Sequence, residues 1–547
     1  MGKFSFNTII KFSTNQNKNL QIFDRFPIFV QLILFEMSEI ENHETQNIKN
    51  NPKIMKAWAV YDWANSVYSL VITSTIFPIY YSILTTAYEK KEYVEETKSW
   101  IDVPVRHMIT IFGKEYQPDA VYGYSLTISF FIVVLLSPFL SSLADTIGNK
   151  KSFLQFFCYL GATSCMGLAM FTGMHNVFLG LLFSITASVG FWGSLVFYNS
   201  FLPDIATRDK QDALSAKGYV YGYIGSVVLV IICLLLIQVV AKGDPAKQLL
   251  FTRVSFLLTG AWWFGFSQYT FKHLPQFGDV KEKLPKDLVL LNYKNIFKKH
   301  EEQGGFFEVL KDNLCFYKDI GKESFNELFK VGKELFKHRN LKFFLSSFFF
   351  YSVGMQTIFL MATLFGKSEI NLPQDKLIGT LLIIQIEAII GAVIFSRLSR
   401  KIGNKNVISI AVVLWIVACI WAYFLNKENP TVEYQFYGVA GVVGLVMGGL
   451  QAMSRSTYSK LLPENSMENT TFFSFYDVLE KIAIIVGTFV FALFIDKYDA
   501  LRSIFAKIDV MLPSASGMRF AAFSMAIFFF VGLILIRFLK LNPPKND

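Results

Sequence analysis

The sequence is short of charge. Asp, Glu, Lys and Arg supply 17% of its 547 residues, where a soluble chain carries about 25%. An ordinary water-soluble globular enzyme is therefore excluded. Cysteine is scarce as well. The five are Cys158, Cys165, Cys233, Cys315 and Cys419; no two form a CxxC pair, and four lie inside apolar runs. That removes a paired-cysteine metal site and a disulfide framework, and leaves the cysteines as small apolar fillers. The six histidines all fall in loops, tails or run edges, which leaves no histidine relay in the middle of a run. Neither GxxxxGK[ST] nor HExxH occurs. Nucleotide-driven pumping and zinc-hydrolase chemistry thus have no support, and no enzyme activity, cofactor or metal is expected.

What the chain has in excess is apolar bulk: 53% hydrophobic residues, 57 of them Phe, and a mean hydropathy of +0.39. The excess is gathered into twelve runs. The first six lie near 57–84, 120–144, 152–174, 176–202, 218–241 and 254–271; the second six near 343–366, 377–396, 407–425, 434–454, 472–495 and 520–536. Each approaches the ~20 residues a helix needs to cross ~30 Å of hydrocarbon. None alternates with the period of two that a membrane strand requires. The expected fold is an all-α polytopic membrane protein of twelve transmembrane helices in two six-helix halves.

Loop charge sets the expected orientation. Lys150 and Lys151 follow run 2, Arg208, Lys210 and Lys217 follow run 4, and Arg397, Arg400, Lys401 and Lys405 follow run 8. Arg455 and Lys460 mark the end of run 10. By the positive-inside rule these loops and both termini face the cytoplasm, which places the chain in the cytoplasmic membrane. The net charge of +10 is accounted for in the same way, without a nucleic-acid partner. The frequent Asn, Lys, Ile and Phe point to an AT-rich, bacterial coding sequence.

The expected organisation is a cytoplasmic tail at 1–56, a six-helix half at 57–271, a cytoplasmic linker at 272–342, a second half at 343–538 and a tail at 539–547. Within the tail, Met37 opens an ordinary polar stretch, so residues 1–36 read as a misassigned start, the rival reading being a short interfacial anchor formed by FPIFVQLILF at 26–35. Within the linker, FNELFKVGKELFK at 325–337 places Phe325, Leu328, Phe329 and Phe336 on one helical face, as an amphipathic helix at the inner membrane surface or against the bundle would.

One short stretch occurs twice. SLADTIGNKK at 142–151 and RLSRKIGNKN at 397–406 share five of ten positions and lie 255 residues apart. Each joins the second and third run of its half, as two parallel repeats require. Gly148 and Gly403 suit a tight turn. Asp145 can bond exposed helix-end N–H groups or pair with a cation. In the second copy Arg400 replaces it, so the two turns are not electrostatically equal.

The first copy resembles a diverged loop motif of the major facilitator superfamily, with Ser141 where the first glycine is expected and Lys150 and Lys151 where arginines are usual. Other stretches resemble the autophagy-related vacuole effluxer family and its bacterial members. They are WAVYDWANSVYSLVITSTIFPIYY at 58–81, FYNSFLPDIA at 197–206, SAKGYVYGYIGS at 215–226, VGMQTI at 353–358, GGLQAMSRSTYSKLLPE at 448–464 and FFSFYDVLEKIAIIVG at 472–487. Together they carry the resemblance from about 55 to 538. The chain departs from the family at Val353, where an acid is frequent, and at Glu480, where a small residue is frequent. The resemblance implies secondary transport, with amino acids as the solute.

Ionisable and polar groups inside the runs are the candidate working residues, because hydrocarbon makes each of them costly. Asp62, Asn65, Gln356 and Glu387 are candidates for solute or proton binding, Glu387 first because it lies mid-run in LLIIQIEAIIGAV. Asp145, Lys151, Arg400, Arg455, Asp477, Glu480 and Lys481 are candidates for a gate or charge network; Asp477 and Lys481 stand i,i+4 on one face. The expected function is secondary active transport of a small solute by alternating access, coupled to protons. The expected partners are that solute, protons and the lipid bilayer, with the chain a monomer. The alternatives are another solute class (a sugar, a peptide or a drug-like compound) and a non-transporting sensor or scaffold on the same fold.

Overall fold

In the computed structural model, the described residues are 48–94, 99–147, 149–276, 322, 326, 328–426, 428–463, 468–496 and 517–540. Residues 1–36, most of the 272–342 linker, Gly148 and Cys315 lie outside them.

Among the described residues, twelve helices are long and apolar enough to cross a membrane. The first six are α1 Pro52–Leu84, α2 Ala120–Asp145, α3 Lys150–Met170, α4 Met174–Ile205, α5 Arg208–Val240 and α6 Pro245–His273. The second six are α7 Arg339–Glu369, α8 Lys376–Ile402, α9 Asn404–Tyr423, α10 Val432–Leu461, α11 Asn469–Ile495 and α12 Gly517–Arg537. Two spans start well before their apolar runs. α5 begins ten residues before 218 and α6 nine before 254. In α5 the added turns bury Gln211, Asp212 and Ser215 against protein, polar residues that hydropathy discounts; in α6 they carry the exposed Pro245, Ala246 and Lys247.

Helix ends follow local chemistry. Asn51 accepts from Lys53 N at 3.0 Å with Pro52 at the first helical position, a favoured N-terminus. Asp244 caps α6 in the same way ahead of Pro245. The turn between α8 and α9 is made by Gly403 at φ +80°, a conformation open to glycine. Within α1, residues Tyr68–Ile76 form a wide π-helical stretch. It ends just before Pro78, which has no N–H to continue a regular ladder.

Between α1 and α2 the chain forms two antiparallel hairpins, β1 Thr86–Val94 with β2 Ser99–Arg106, and β3 Ile109–Ile111 with β4 Lys114–Tyr116. The short helix at 328–337 packs against the bundle, but through other residues than the expected phenylalanine face. Val331 and Leu335, one turn apart, are buried in the core of the second half, whereas Phe329 and Phe336 are 56% and 74% exposed. The helix uses its aliphatic stripe against the bundle and turns its phenylalanines away. Phe325 lies outside the described residues. The cysteine expectation holds for the four that are described, all free and buried.

Packing across the middle is two-fold. Helix α2 packs on α11 as α5 packs on α8, and α4 meets α11 as α10 meets α5. Both decamers lie on the same face of the bundle, here the decamer face.

Candidate functional site

The side chains that join the halves are gathered toward the decamer face. At their centre stands Arg455 of α10, buried with Asp62 of α1. Asp62 lies ten residues into α1, roughly 15 Å along its axis at 1.5 Å per residue. Both Nη atoms of Arg455 are 3.3 Å from Asp62 Oδ2, which also accepts from the Tyr198 hydroxyl at 2.8 Å. Arg455 Nε donates to Ser215 Oγ at 3.0 Å, Nη2 to the Ser215 carbonyl at 2.8 Å and Nη1 to Asn199 Oδ1 at 3.3 Å. The guanidinium also lies 4.2 Å from the Tyr219 ring centroid and 4.7 Å from that of Trp58. One cation from the second half is thus held by α1, α4 and α5 of the first. A guanidinium suits the role because its planar fork serves several acceptors and stacks on rings at once.

The repeated decamers latch the halves on either side of this pair. Asp145 accepts from the backbone of Thr470 at 3.3 Å and of Thr471 at 2.7 Å, and from the Thr471 hydroxyl at 2.8 Å. An acid from α2 therefore caps the N-terminus of α11, where orphan N–H groups and the helix dipole favour negative charge. Beside it Lys150 pairs with Asp204, and Asn469 Nδ2 of α11 donates to Asp204 Oδ1 at 2.7 Å. In the second latch the acid changes sides. Asp212 of α5 accepts from Ser399 Oγ and Asn404 Nδ2, each at 2.8 Å, and pairs with Lys460 at 2.6 Å. The first decamer supplies a carboxylate; the second receives one through Ser399 and Asn404.

Two gate candidates stand elsewhere. Arg400, at the position equivalent to Asp145, is exposed, and among the described residues it makes no hydrogen bond or ion pair. The side chains beside it, Ser399 and Asn404, carry the contact instead. Lys151 donates to the Leu274 carbonyl at 2.8 Å, closing the end of α6 within its own half. Lys405 does the same for α12, donating to the Arg537 and Leu539 carbonyls at 2.8 Å each.

A second charged group sits on α11. Lys481 Nζ lies 2.6 Å from Asp477 Oδ1, 3.1 Å from Glu480 Oε2 and 3.7 Å from the Trp192 ring centroid of α4. Gln356 of α7 donates to Glu480 Oε1 at 2.8 Å. Lys481 and Asp477 are buried and Glu480 nearly so. The i,i+4 pair expected from spacing is present, and Trp192 of the other half completes it.

The remaining candidates are not drawn into these groups. Asn65 is buried, and its Nδ2 has no partner among the described residues. It does not bond Asp62 across the i,i+3 spacing. Glu387 is half-buried in the α8–α10 seam, its stem against Gly441 and Gly444, and it makes no hydrogen bond or ion pair among the described residues. Sequence reasoning passed over Tyr198, Ser215, Trp58, Tyr219, Trp192 and Asp212. Five of the six lie outside any charged pattern; Trp58, Tyr198, Ser215 and Tyr219 had only their membership of the quoted stretches as a signal, and Trp192 lies in none of them. Among the described residues no three of His, Cys, Asp and Glu are grouped to hold a metal.

Two bundles joined along a polar seam at one face define a class. The fold is that of the major facilitator superfamily. A fucose transporter, FucP, in its outward conformation superposes with a TM-score of 0.55 at 13% identity, covering 90% of this chain and 99% of its own. A proton:xylose symporter, XylE, superposes at 0.59 with 12% identity, covering 89% and 95%. Within that class the chain belongs to the family described as "Vacuole effluxer Atg22 like", whose model matches residues 50–547. An MFS-type transporter of Bacillus subtilis, YxiO, is 29% identical over 492 residues, 90% of this chain and 96% of its own. Autophagy-related protein 22 of Saccharomyces cerevisiae is 24% identical over 507 residues, 85% and 90%. The chain is a multi-pass membrane transporter, not an enzyme, and moves a small solute by alternating access.

Proposed function

We propose that the chain carries amino acids across the cytoplasmic membrane, with the decamer face inside and a proton gradient as the driving force. The observation that carries the mechanism is the Asp62–Arg455 pair. It is a buried charge pair split between the halves and made by side chains alone. Removing one partner of such a pair costs about 3–5 kcal/mol. Separating the halves is tolerable only when the whole set (Asp62, Arg455, Tyr198 and Ser215) becomes hydrated together. The seam therefore favours two end states over a continuum, which is what alternation between an inner and an outer opening requires.

An amino acid carries both charges. The seam offers both signs within one region, Arg455 on α10 and Asp477, Glu480 and Lys481 on α11, with Trp58 and Tyr219 against Arg455 and Trp192 against Lys481. A neutral sugar makes no demand for buried charge of either sign. The family resemblance points to the same solute class.

The test is uptake by purified protein in liposomes, with an amino acid panel and with and without an imposed pH gradient. Saturable uptake of at least one amino acid, accelerated by the gradient, is the expected result. Folded protein that moves none of them would end the amino acid assignment. Uptake indifferent to the gradient would end the coupling.

A further inference from the structure

The charged group on α11 does not balance. Asp477, Glu480 and Lys481 sum to one negative charge if both acids are ionised. Two further facts sharpen this. Asp477 is 2% exposed, and its Oδ2 has no hydrogen-bond partner among the described residues. A bare carboxylate oxygen away from water loses its solvation without replacement. Its other oxygen, by contrast, is held at 2.6 Å by Lys481.

Among the described residues nothing nearby supplies the missing charge. Helix α11 packs against α2, α4, α7 and α12. From α2 comes Asp145, spent on the first turn of α11. From α4 come Trp192 and Tyr198, and from α7 Gln356 and Tyr351, none of them cationic. Arg519 of α12 is paired with Glu369 at 3.2 Å. Across the seam, Arg455 is already bound to Asp62, and Tyr219 of α5 stacks on that same guanidinium.

We infer that Asp477 Oδ2 is a binding site for one monovalent cation, and that the cation is the coupling proton of the transport cycle. The inference rests on the coupled-transport reading above and moves the proton from Glu387 to α11. With Asp477 protonated, the group is neutral: Lys481 is balanced by Glu480, which Gln356 orients. When Asp477 gives up its proton, it competes with Glu480 for the lysine ammonium. That ammonium is also held by the face of Trp192, which belongs to the other half. Proton binding on α11 thereby bears on a contact that spans the seam, as a coupling site must.

The proton can be observed without transport. Infrared spectra of the purified full-length protein at neutral pH should show the carbonyl stretch of a buried protonated carboxyl group. Asp477→Asn should remove that band, and Glu387→Gln should leave it. Glu480→Gln should remove it too while Asp477 is retained, because the lone Asp477–Lys481 pair is then neutral without a proton. This variant also serves if Asp477→Asn fails to fold. A band absent from the wild type, or one that survives both α11 substitutions, overturns the inference. If sodium in place of choline raises the melting temperature of the wild type but not of Asp477→Asn, the site takes sodium and the proton assignment falls. The expected band without any flux in liposomes would leave this site standing and remove the transport reading instead.

Discussion

Arg455 shows how much one residue can join. It meets an acid that the Tyr198 hydroxyl also bonds, the Ser215 hydroxyl and three ring faces, all from the other half. Either Asp62→Asn or Arg455→Met leaves a buried group uncompensated, so each single change should destabilise the state closed at the decamer face by about 3–5 kcal/mol. The double variant should recover part of that loss, because no lone charge remains. A thermal double-mutant cycle on purified protein measures it, and strict additivity of the two losses would contradict the pairing. Asp62 stood out in the sequence as an acid in an apolar run, and Arg455 as a cation at the end of one. Their partnership did not, since 393 positions separate them. Local spacing did reveal Asp477 with Lys481, because a helix brings i and i+4 together by its own geometry. Trp192, which closes that group from another helix, left no periodic trace.

At the scale of the helix, α11 depends on a cap from outside its own half. Asp145→Ala removes three acceptor contacts at its first turn. The expected loss is about 1 kcal/mol, within the range for an N-cap, read as a lower melting temperature. Arg400→Ala, at the equivalent place in the second repeat, should leave the melting temperature unchanged. The repeat itself was legible in the sequence; the exchange of the acid from α2 to α5 was not, because Asp212 lies outside the repeated decamer. The α8–α10 seam depends on another property. A Cβ added at Gly391 would overlap the Leu445 carbonyl, and one at Gly448 the Ala388 carbonyl. Gly391→Leu should therefore abolish the monodisperse peak of detergent-solubilised protein on size exclusion, since backbone cannot yield as a side chain does. The span ends were misread for a related reason. Ser215 donates to the Ala452 carbonyl at 2.8 Å, so the first turns of α5 meet protein and carry residues that a hydropathy reading discounts.

The whole molecule is held shut at one face. Its cross-half bonds (Asp62 with Arg455, Asp145 with Thr471, Asp212 with Asn404) gather toward the decamers, and the two-fold pairing of α2 with α11 and α5 with α8 gives the halves a shared seam to rock about. Twelve spans and their division into equal halves could be read from hydropathy and one repeated decamer. The closed face could not, because closure is a relation between side chains distant in sequence. The central claim is that this face opens and closes, with the Asp62–Arg455 pair setting the balance. The most direct measurement is the distance distribution between spin labels on Asp209→Cys of α5 and Lys401→Cys of α8, both exposed at that face, in lipid. A short distance is expected in the wild-type background, with a shift of population to a longer one when Asp62→Asn is added. A single distance that Asp62→Asn leaves unmoved would contradict the central claim.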